Sequence, residues 1–167
     1  MPNIQTRQIS IERFSITSSQ PFEKIIAGIE REIGHPETAA FSKRIAEART
    51  MSELESTVQE AIGPSGLMEF VRFDIGAVLR KQQGAKARKS MRFLIGNPLV
   101  MKEMAKHVAD AASYAPVTVL IDERADGVHL SYDRMASFLA PYGSADALEV
   151  ARDLDAKIEA LLARAAS

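Results

Sequence analysis

Five short segments of the chain are rich in β-forming residues or alternate apolar with polar side chains, and they predict five strands. Alternation with a period of two is typical of a strand with one buried face. The third segment is largely apolar on both faces, which favours a strand inside a sheet. Asp126-Gly127, a dipeptide typical of hairpin turns, joins the last two. The predicted strands cover residues 9–17, 67–73, 90–95, 117–122 and 128–132.

Between these segments, apolar residues recur every three or four positions, which predicts helices. The clearest helices begin at Pro21, Asn97 and Ser144, residue types favoured at helix N-termini. Weaker stripes predict a short helix after Asp74 and two helices at 36–63, the second opened by a Ser-x-x-Glu capping box at Ser52. The two longest stripes are Met101, Met104, Ala105, Val108, Ala111 and Ala112, then Ala147, Ala151, Leu154, Ile158, Leu161 and Leu162.

The order of these elements predicts one α+β domain over residues 1–167. Because the chain ends in a hairpin and a long helix, not in repeated strand–helix–strand units, we expect about five mainly antiparallel strands with helices packed on one face. The two helices at about 36–63 are expected to be an insertion into this plan.

Composition narrows the function classes. The chain has 46% hydrophobic residues, a net charge of −1 and no cysteine, which excludes disulfides, thiolate metal clusters and a cysteine nucleophile. Its longest uncharged stretches, 111–121 and 135–145, are far shorter than the roughly 20 residues of a membrane helix. We therefore expect a cytoplasmic protein without a membrane partner. A charge near zero makes nucleic acid an improbable partner.

The sharpest candidate for chemistry is the helix start Gly96-Asn97-Pro98. Free backbone N–H groups and the helix dipole attract anions at such a point. Arg92 and other basic residues precede it, with no acidic residue between Asp74 and Glu103. A ligand with an anionic end is therefore expected at Arg92 and Gly96 to Pro98. The alternative is that Asn97 only caps its helix and that the basic segment, residues 80–92, is a solvated surface.

Other residue patterns point to chemistry less directly. Met101, Met104 and His107 share one helix, but the methionines continue its apolar stripe, so neither a metal site nor a cofactor is expected. His107, Tyr132 and Asp133 are candidates for acid–base catalysis. Ser137 lacks the glycines of a nucleophile elbow, and the chain has no phosphate-binding glycine motif.

Four short motifs occur together in this chain: Ile95-Gly96-Asn97-Pro98, Tyr114 to Val119, Asp126-Gly127, and Tyr132-Asp133-Arg134 with Ser137. As a set they resemble the bacterial and archaeal family called domain of unknown function 302. The likeness covers about residues 22–165 without 36–63. The resemblance implies an α+β domain with an antiparallel-rich sheet, often a homodimer, and no established activity. Some relatives have cysteines where this chain has Gly96 and Val117, so a thiol role does not carry over.

These observations favour a non-catalytic, dimeric domain that binds a small anionic or amphipathic molecule or has a regulatory role. Its pocket is expected between the sheet and the Asn97 helix, where Phe93 would also contribute to the lining. Two alternatives stay open: an enzyme acting through His107, Tyr132 and Asp133, and a nucleic-acid or protein partner at residues 80–92. The candidate binding residues are Arg92, Gly96, Asn97, Pro98, Met104, His107, Tyr114, Tyr132 and Asp133.

Overall fold

Five strands form one antiparallel sheet in a computed structural model that describes residues 1–167. In chain order they are β1 (Arg13–Ser18), β2 (Met68–Asp74), β3 (Ser90–Gly96), β4 (Val117–Arg124) and β5 (Gly127–Asp133). Across the sheet their order is β1-β5-β4-β3-β2. The predicted α+β class, the strand number and the antiparallel pairing are confirmed. β3 is an interior strand, as its two apolar faces predicted.

The hairpin and the first strand show where local pattern sets the strand limits and where it does not. The β4–β5 ladder closes at Arg124 opposite Gly127, so the predicted turn is confirmed. β1 begins at Arg13, not at Ile9, because its ladder on β5 starts at Arg13 opposite Asp133, where β5 ends. Residues 9–12 therefore have no strand to pair with.

Eight α-helices connect and cover the strands, and most were predicted. Ser144 caps the last helix by accepting a hydrogen bond from the Ala147 N–H. Its six predicted inward residues are all buried. The helices are α1 (Phe22–Glu32), α2 (Thr38–Glu47), α3 (Met51–Ala61), α4 (Ile75–Gln83), α5 (Pro98–Ala105), α6 (Ala111–Tyr114), α7 (Met135–Leu139) and α8 (Ala145–Ala165).

Three details of the helix prediction were wrong. The stripe from Met101 to Ala112 is divided between α5 and α6, because the chain turns at residues 106–110. The cap of α3 is Thr50, whose side chain accepts from the Glu53 N–H, and not Ser52. Finally, α7 was not predicted, since five residues hold too little of a helical period to be recognised.

The main core lies between one face of the sheet and the helices α1, α5 and α8. Along β4 and β5, residues such as Val119, Ile121 and Leu130 are fully buried. On the other face of β3 and β4, Arg92, Leu94 and Thr118 are half-buried or exposed, whereas Ser90 and Asp122 near the far end are buried. The helices therefore cover one face, as predicted, and we call the opposite face the open face.

The helices α2 and α3 form a smaller cluster beside β2, centred on Phe41, Val58, Ala61 and Met68. This cluster is anchored by a close approach of two backbone segments. The N–H groups of Gly34 and Gly63 both donate to the Leu67 carbonyl, each at 2.9 Å. A Cβ atom on Gly34 would lie 1.8 Å from the Ala61 carbonyl oxygen, so only glycine fits there.

Gly34→Ala is therefore expected to destabilise the protein by about 3 kcal/mol or more, since backbone must move to relieve the overlap. The matched control is Gly96→Ala, because a Cβ there meets its nearest atom at 3.4 Å, an ordinary contact. Urea denaturation measures both variants. Equal losses of stability would contradict this account of the anchor.

Candidate functional site

A cavity of about 420 Å³ opens at one end of the open face, and we call it the Arg92 pocket. Its floor comes from the strands, with Arg92 and Leu94 on β3, Thr118 on β4 and Asp133 on β5. Its walls come from the segment that leads into β4 and from α7. The wall residues are Ser113, Tyr114, Ala115, Pro116, Val117, Met135 and Phe138.

The pairing register explains why these floor residues meet. Leu94 lies opposite Thr118 across the β3–β4 ladder, and Arg92 lies opposite Leu120. Residues two apart in a strand share a face, so Arg92 and Leu94 both point to the open face. The pocket thus unites three of the nine predicted binding residues, Arg92, Tyr114 and Asp133.

The two charged residues of the pocket differ in their pairing. The Arg13 guanidinium donates to both carboxylate oxygens of Asp133, at 2.6 and 2.9 Å, and this contact raises the pKa of Arg13. The Asp133 charge is therefore compensated. Arg92 takes part in none of the ion pairs or side-chain hydrogen bonds of the chain, and its guanidinium carbon lies 5.6 Å from the centre of the Phe73 ring. The pocket consequently carries one uncompensated positive charge.

Tyr114 contributes its ring to the pocket, and its hydroxyl is engaged elsewhere. The ring stacks on Phe138 with centroids 4.9 Å apart. Its hydroxyl lies 2.8 Å from the Tyr142 hydroxyl, which donates to Asp110 at 2.8 Å. The hydrogen bond with Tyr114, followed by that to Asp110, raises the pKa of Tyr142.

The predicted anion site at the start of α5 is not assembled as expected. Asn97 caps the helix, since its Oδ1 accepts from the Leu99 N–H at 2.9 Å and its Nδ2 donates to the Gly66 carbonyl at 3.0 Å. The Met101 N–H is bonded to the Asn97 carbonyl, and Pro98 has no N–H. Arg92 lies four residues before Gly96, about 13 Å away along β3, and lines the Arg92 pocket instead. Gly96 is buried.

The pocket predicted between the sheet and α5 is filled by the core. Phe93, Met104 and Tyr132 are buried there at 0 to 1% exposure. His107 lies at the surface, with Nδ1 3.9 Å from a carboxylate oxygen of Asp146. Tyr132 and Asp133 are consecutive in β5 and face opposite sides of the sheet. The structure therefore does not bring His107, Tyr132 and Asp133 together.

A buried carboxylate that the sequence reasoning missed holds α7 in place. Asp155 of α8 accepts from the Tyr132 hydroxyl at 2.5 Å and from the N–H groups of Met135 and Ala136 at 2.7 and 3.1 Å. Asp155 thus caps α7 from another helix. The available signal was an acidic residue on the inward stripe of α8, between Ala151 and Ile158. Because Met135 and Phe138 wall the Arg92 pocket, this contact also positions the site.

Tyr132→Phe is expected to reduce the free energy of unfolding by about 1 to 3 kcal/mol, because it removes a donor from a buried carboxylate. Tyr142→Phe is the matched control, since its hydroxyl network lies nearer the surface and should cost less. Urea denaturation compares the two. A smaller loss for Tyr132→Phe than for Tyr142→Phe would contradict a structural role for Asp155.

Burial raises the pKa of Asp155 above its ordinary 3.8, although hydrogen bonds from Tyr132, Ala136 and Met135 act in the opposite direction. The folded state therefore binds this proton more tightly than the unfolded state. The stabilisation that comes from protonated Asp155 is fully present below pH 3.8 and is lost as the pH rises through the pKa of Asp155 in the folded protein.

Asp155→Asn removes this titration, because an amide does not ionise in this pH range. Any other effect of the amide on the free energy of unfolding is the same at every pH. We therefore expect the stability of Asp155→Asn relative to the natural protein to increase between about pH 4 and pH 7. Urea denaturation across that range measures the difference. A difference that stays flat would show that the pKa of Asp155 is not raised.

Half of the basic residues in segment 80–92 are paired with acids. Arg80 contacts Asp74 at 3.1 Å, Arg88 lies 2.9 Å from Asp122, and Lys89 lies 2.5 Å from Glu23. Lys81, Lys86 and Arg92 form no ion pair. Half of the positive charge expected of this segment is thus compensated, and Arg92 is separated from Lys81 and Lys86 by its place in the sheet.

Two further properties of the chain concern metals and membranes. No three histidine or acidic side chains are grouped closely enough to hold a metal ion. None of the helices combines the length and apolar character that crossing a bilayer requires.

These observations define a class of protein: an antiparallel α+β domain with a cationic, partly apolar pocket at the end of an open sheet face. The family model described as "Domain of unknown function DUF302" matches residues 41–165, and the chain belongs to this family. The match begins within α2, so it includes α3, although the resemblance in the sequence had left out residues 36–63.

Comparison with solved structures supports the fold. The chain is similar to the crystal structure of an uncharacterized conserved DUF302 protein from Bacillus stearothermophilus, with a TM-score of 0.63 and 11% identity. The likeness covers 92% of this chain and 97% of that one. No curated protein matches the chain.

Proposed function

We propose that this protein is a non-catalytic domain that binds a small molecule through an anionic group at Arg92. The observation that carries the proposal is the uncompensated guanidinium in a 420 Å³ cavity. An arginine that faces a cavity without a carboxylate partner favours a carboxylate, sulfate or phosphate oxygen, which it binds with two parallel N–H groups.

The rest of the pocket supports the same chemistry. Leu94, Pro116 and Phe138 offer apolar surface, and the Thr118 hydroxyl makes no hydrogen bond within the protein, so it is free for a polar ligand atom. Concave sites that combine apolar surface with a few well-placed polar groups are typical of small-molecule binding. The Arg13–Asp133 pair keeps the only carboxylate of the pocket from repelling an anion.

The two alternatives from the sequence have less support. An acid–base enzyme at His107, Tyr132 and Asp133 would need three side chains that lie in different places. A nucleic-acid partner at residues 80–92 would need free cations, and three of the six are paired with acids there.

Arg92→Ala tests the proposal. We expect the variant to bind butyrate and inorganic phosphate at least about tenfold more weakly, since a hydrogen bond to a charged group contributes about 1.5 kcal/mol or more. Arg92→Lys should retain part of the affinity. Titration followed by amide chemical shifts measures binding and shows whether residues of the Arg92 pocket respond.

Arg152→Ala is the matched control, because Arg152 is exposed on α8 and also forms no ion pair. Its affinity should equal that of the natural protein. If Arg92→Ala and Arg152→Ala bind these anions equally well, Arg92 is not the anion-binding group.

A further inference from the structure

Two further cavities, both apolar, lie near the Arg92 pocket along the start of α5. The first, about 80 Å³, shares Ala115 and Pro116 with the Arg92 pocket. The second, about 290 Å³, shares Phe70 and Pro98 with the first. The three cavities are therefore neighbours in a row, each sharing part of its wall with the next, and we call the two apolar ones the α5 groove.

The far end of the α5 groove lies beneath α2 and offers little to a polar ligand. Phe41 and Ile45 of α2 face Met68, Phe70 and Pro98 across it. Its one charged residue, Glu69, is occupied by Arg72, which donates to both carboxylate oxygens at 2.8 and 2.6 Å. The Thr38 hydroxyl is also occupied, since it donates to the Phe70 carbonyl at 3.2 Å.

The helix α2 has little buried surface and a cavity on each of two sides. A further cavity of about 350 Å³ lies on its other side, toward α3, lined by residues that include Arg44 and Ala61. Phe41 is the only buried residue of α2. Apart from the packing of Phe41 and Ile45 in the smaller cluster, two polar contacts hold α2: the Thr38 hydrogen bond to β2 and the Arg44–Glu60 ion pair to α3, at 2.7 Å.

We infer that the ligand is an amphipathic monoanion, such as an acyl carboxylate, whose charged end binds Arg92 and whose apolar chain lies in the α5 groove and ends beneath α2. This inference rests on the proposed function, because it takes Arg92 as the anchor. It adds the chemical class of the ligand, since the row of cavities has a free cation at one end and apolar surface at the other.

The test is a series of carboxylates of increasing length, butyrate, octanoate and dodecanoate, titrated calorimetrically below the concentrations at which they form micelles. Each methylene that enters the α5 groove should tighten binding by about fourfold, the equivalent of about 0.8 kcal/mol. Arg92→Ala should weaken all three by a similar factor and leave the dependence on length intact.

Two substitutions on α2 test where the acyl chain of the ligand lies. Ser42 is exposed and lines the mouth of the cavity beneath α2, so Ser42→Trp should fill it and abolish the advantage of dodecanoate over octanoate. Lys43 is the neighbouring exposed residue and lines neither cavity beside α2, so Lys43→Trp should leave that advantage unchanged.

The outcomes separate the two proposals. If affinity depends on Arg92 but not on chain length, the proposed function stands and the α5 groove is not a chain site. The same follows if Ser42→Trp has no effect on the dependence on length. If affinity rises with length but ignores Arg92→Ala, the anchor is wrong and the proposed function fails. If none of the three carboxylates binds, the acyl-carboxylate inference is overturned, and the proposed function fails with it if inorganic phosphate does not bind either.

Discussion

The structure depends on one constraint: the helices of the main core cover only one face of a five-stranded sheet. Strand residues alternate between the faces, so every second residue of β3, β4 and β5 points away from those helices. Arg92 can therefore be part of a strand and still be free of a carboxylate partner. The same constraint places the Arg92 pocket where α6 and α7 rise beside the end of this open face.

Asp155 links that pocket to the core. A charged group in a protein interior is costly unless it is fully bonded, and this carboxylate gathers donors from β5 and from the first turn of α7. The wall of the pocket is thus fixed by the same contact that satisfies a buried acid. Changes in the core at Tyr132 are for this reason able to alter the site, although Tyr132 itself lines no part of the Arg92 pocket.

The elements that could be predicted from sequence were those set by local patterns. The β4–β5 hairpin follows from Asp126-Gly127, and α8 follows from its cap at Ser144 and its apolar stripe. The site depended on contacts between distant residues. The pairing of Arg13 with Asp133, which leaves Arg92 as the free cation, joins residues 120 positions apart. Asn97 was recognised correctly as a cap, but a side chain that caps its own helix also occupies an N–H group that an anion would need.

The Arg13–Asp133 contact couples the edge strand β1 to the charge of the Arg92 pocket. The charge of Asp133 is compensated only while β1 stays hydrogen-bonded to β5. If the start of β1 separated from β5, the pocket that contains Arg92 would also contain an unpaired carboxylate. The freed carboxylate and a bound anion would then compete for the positive charge of Arg92. The coupling free energy is up to about 1 kcal/mol, the value of an exposed ion pair. Such coupling is reciprocal: a bound anion stabilises the pairing of β1 with β5 by the same free energy by which that pairing strengthens anion binding.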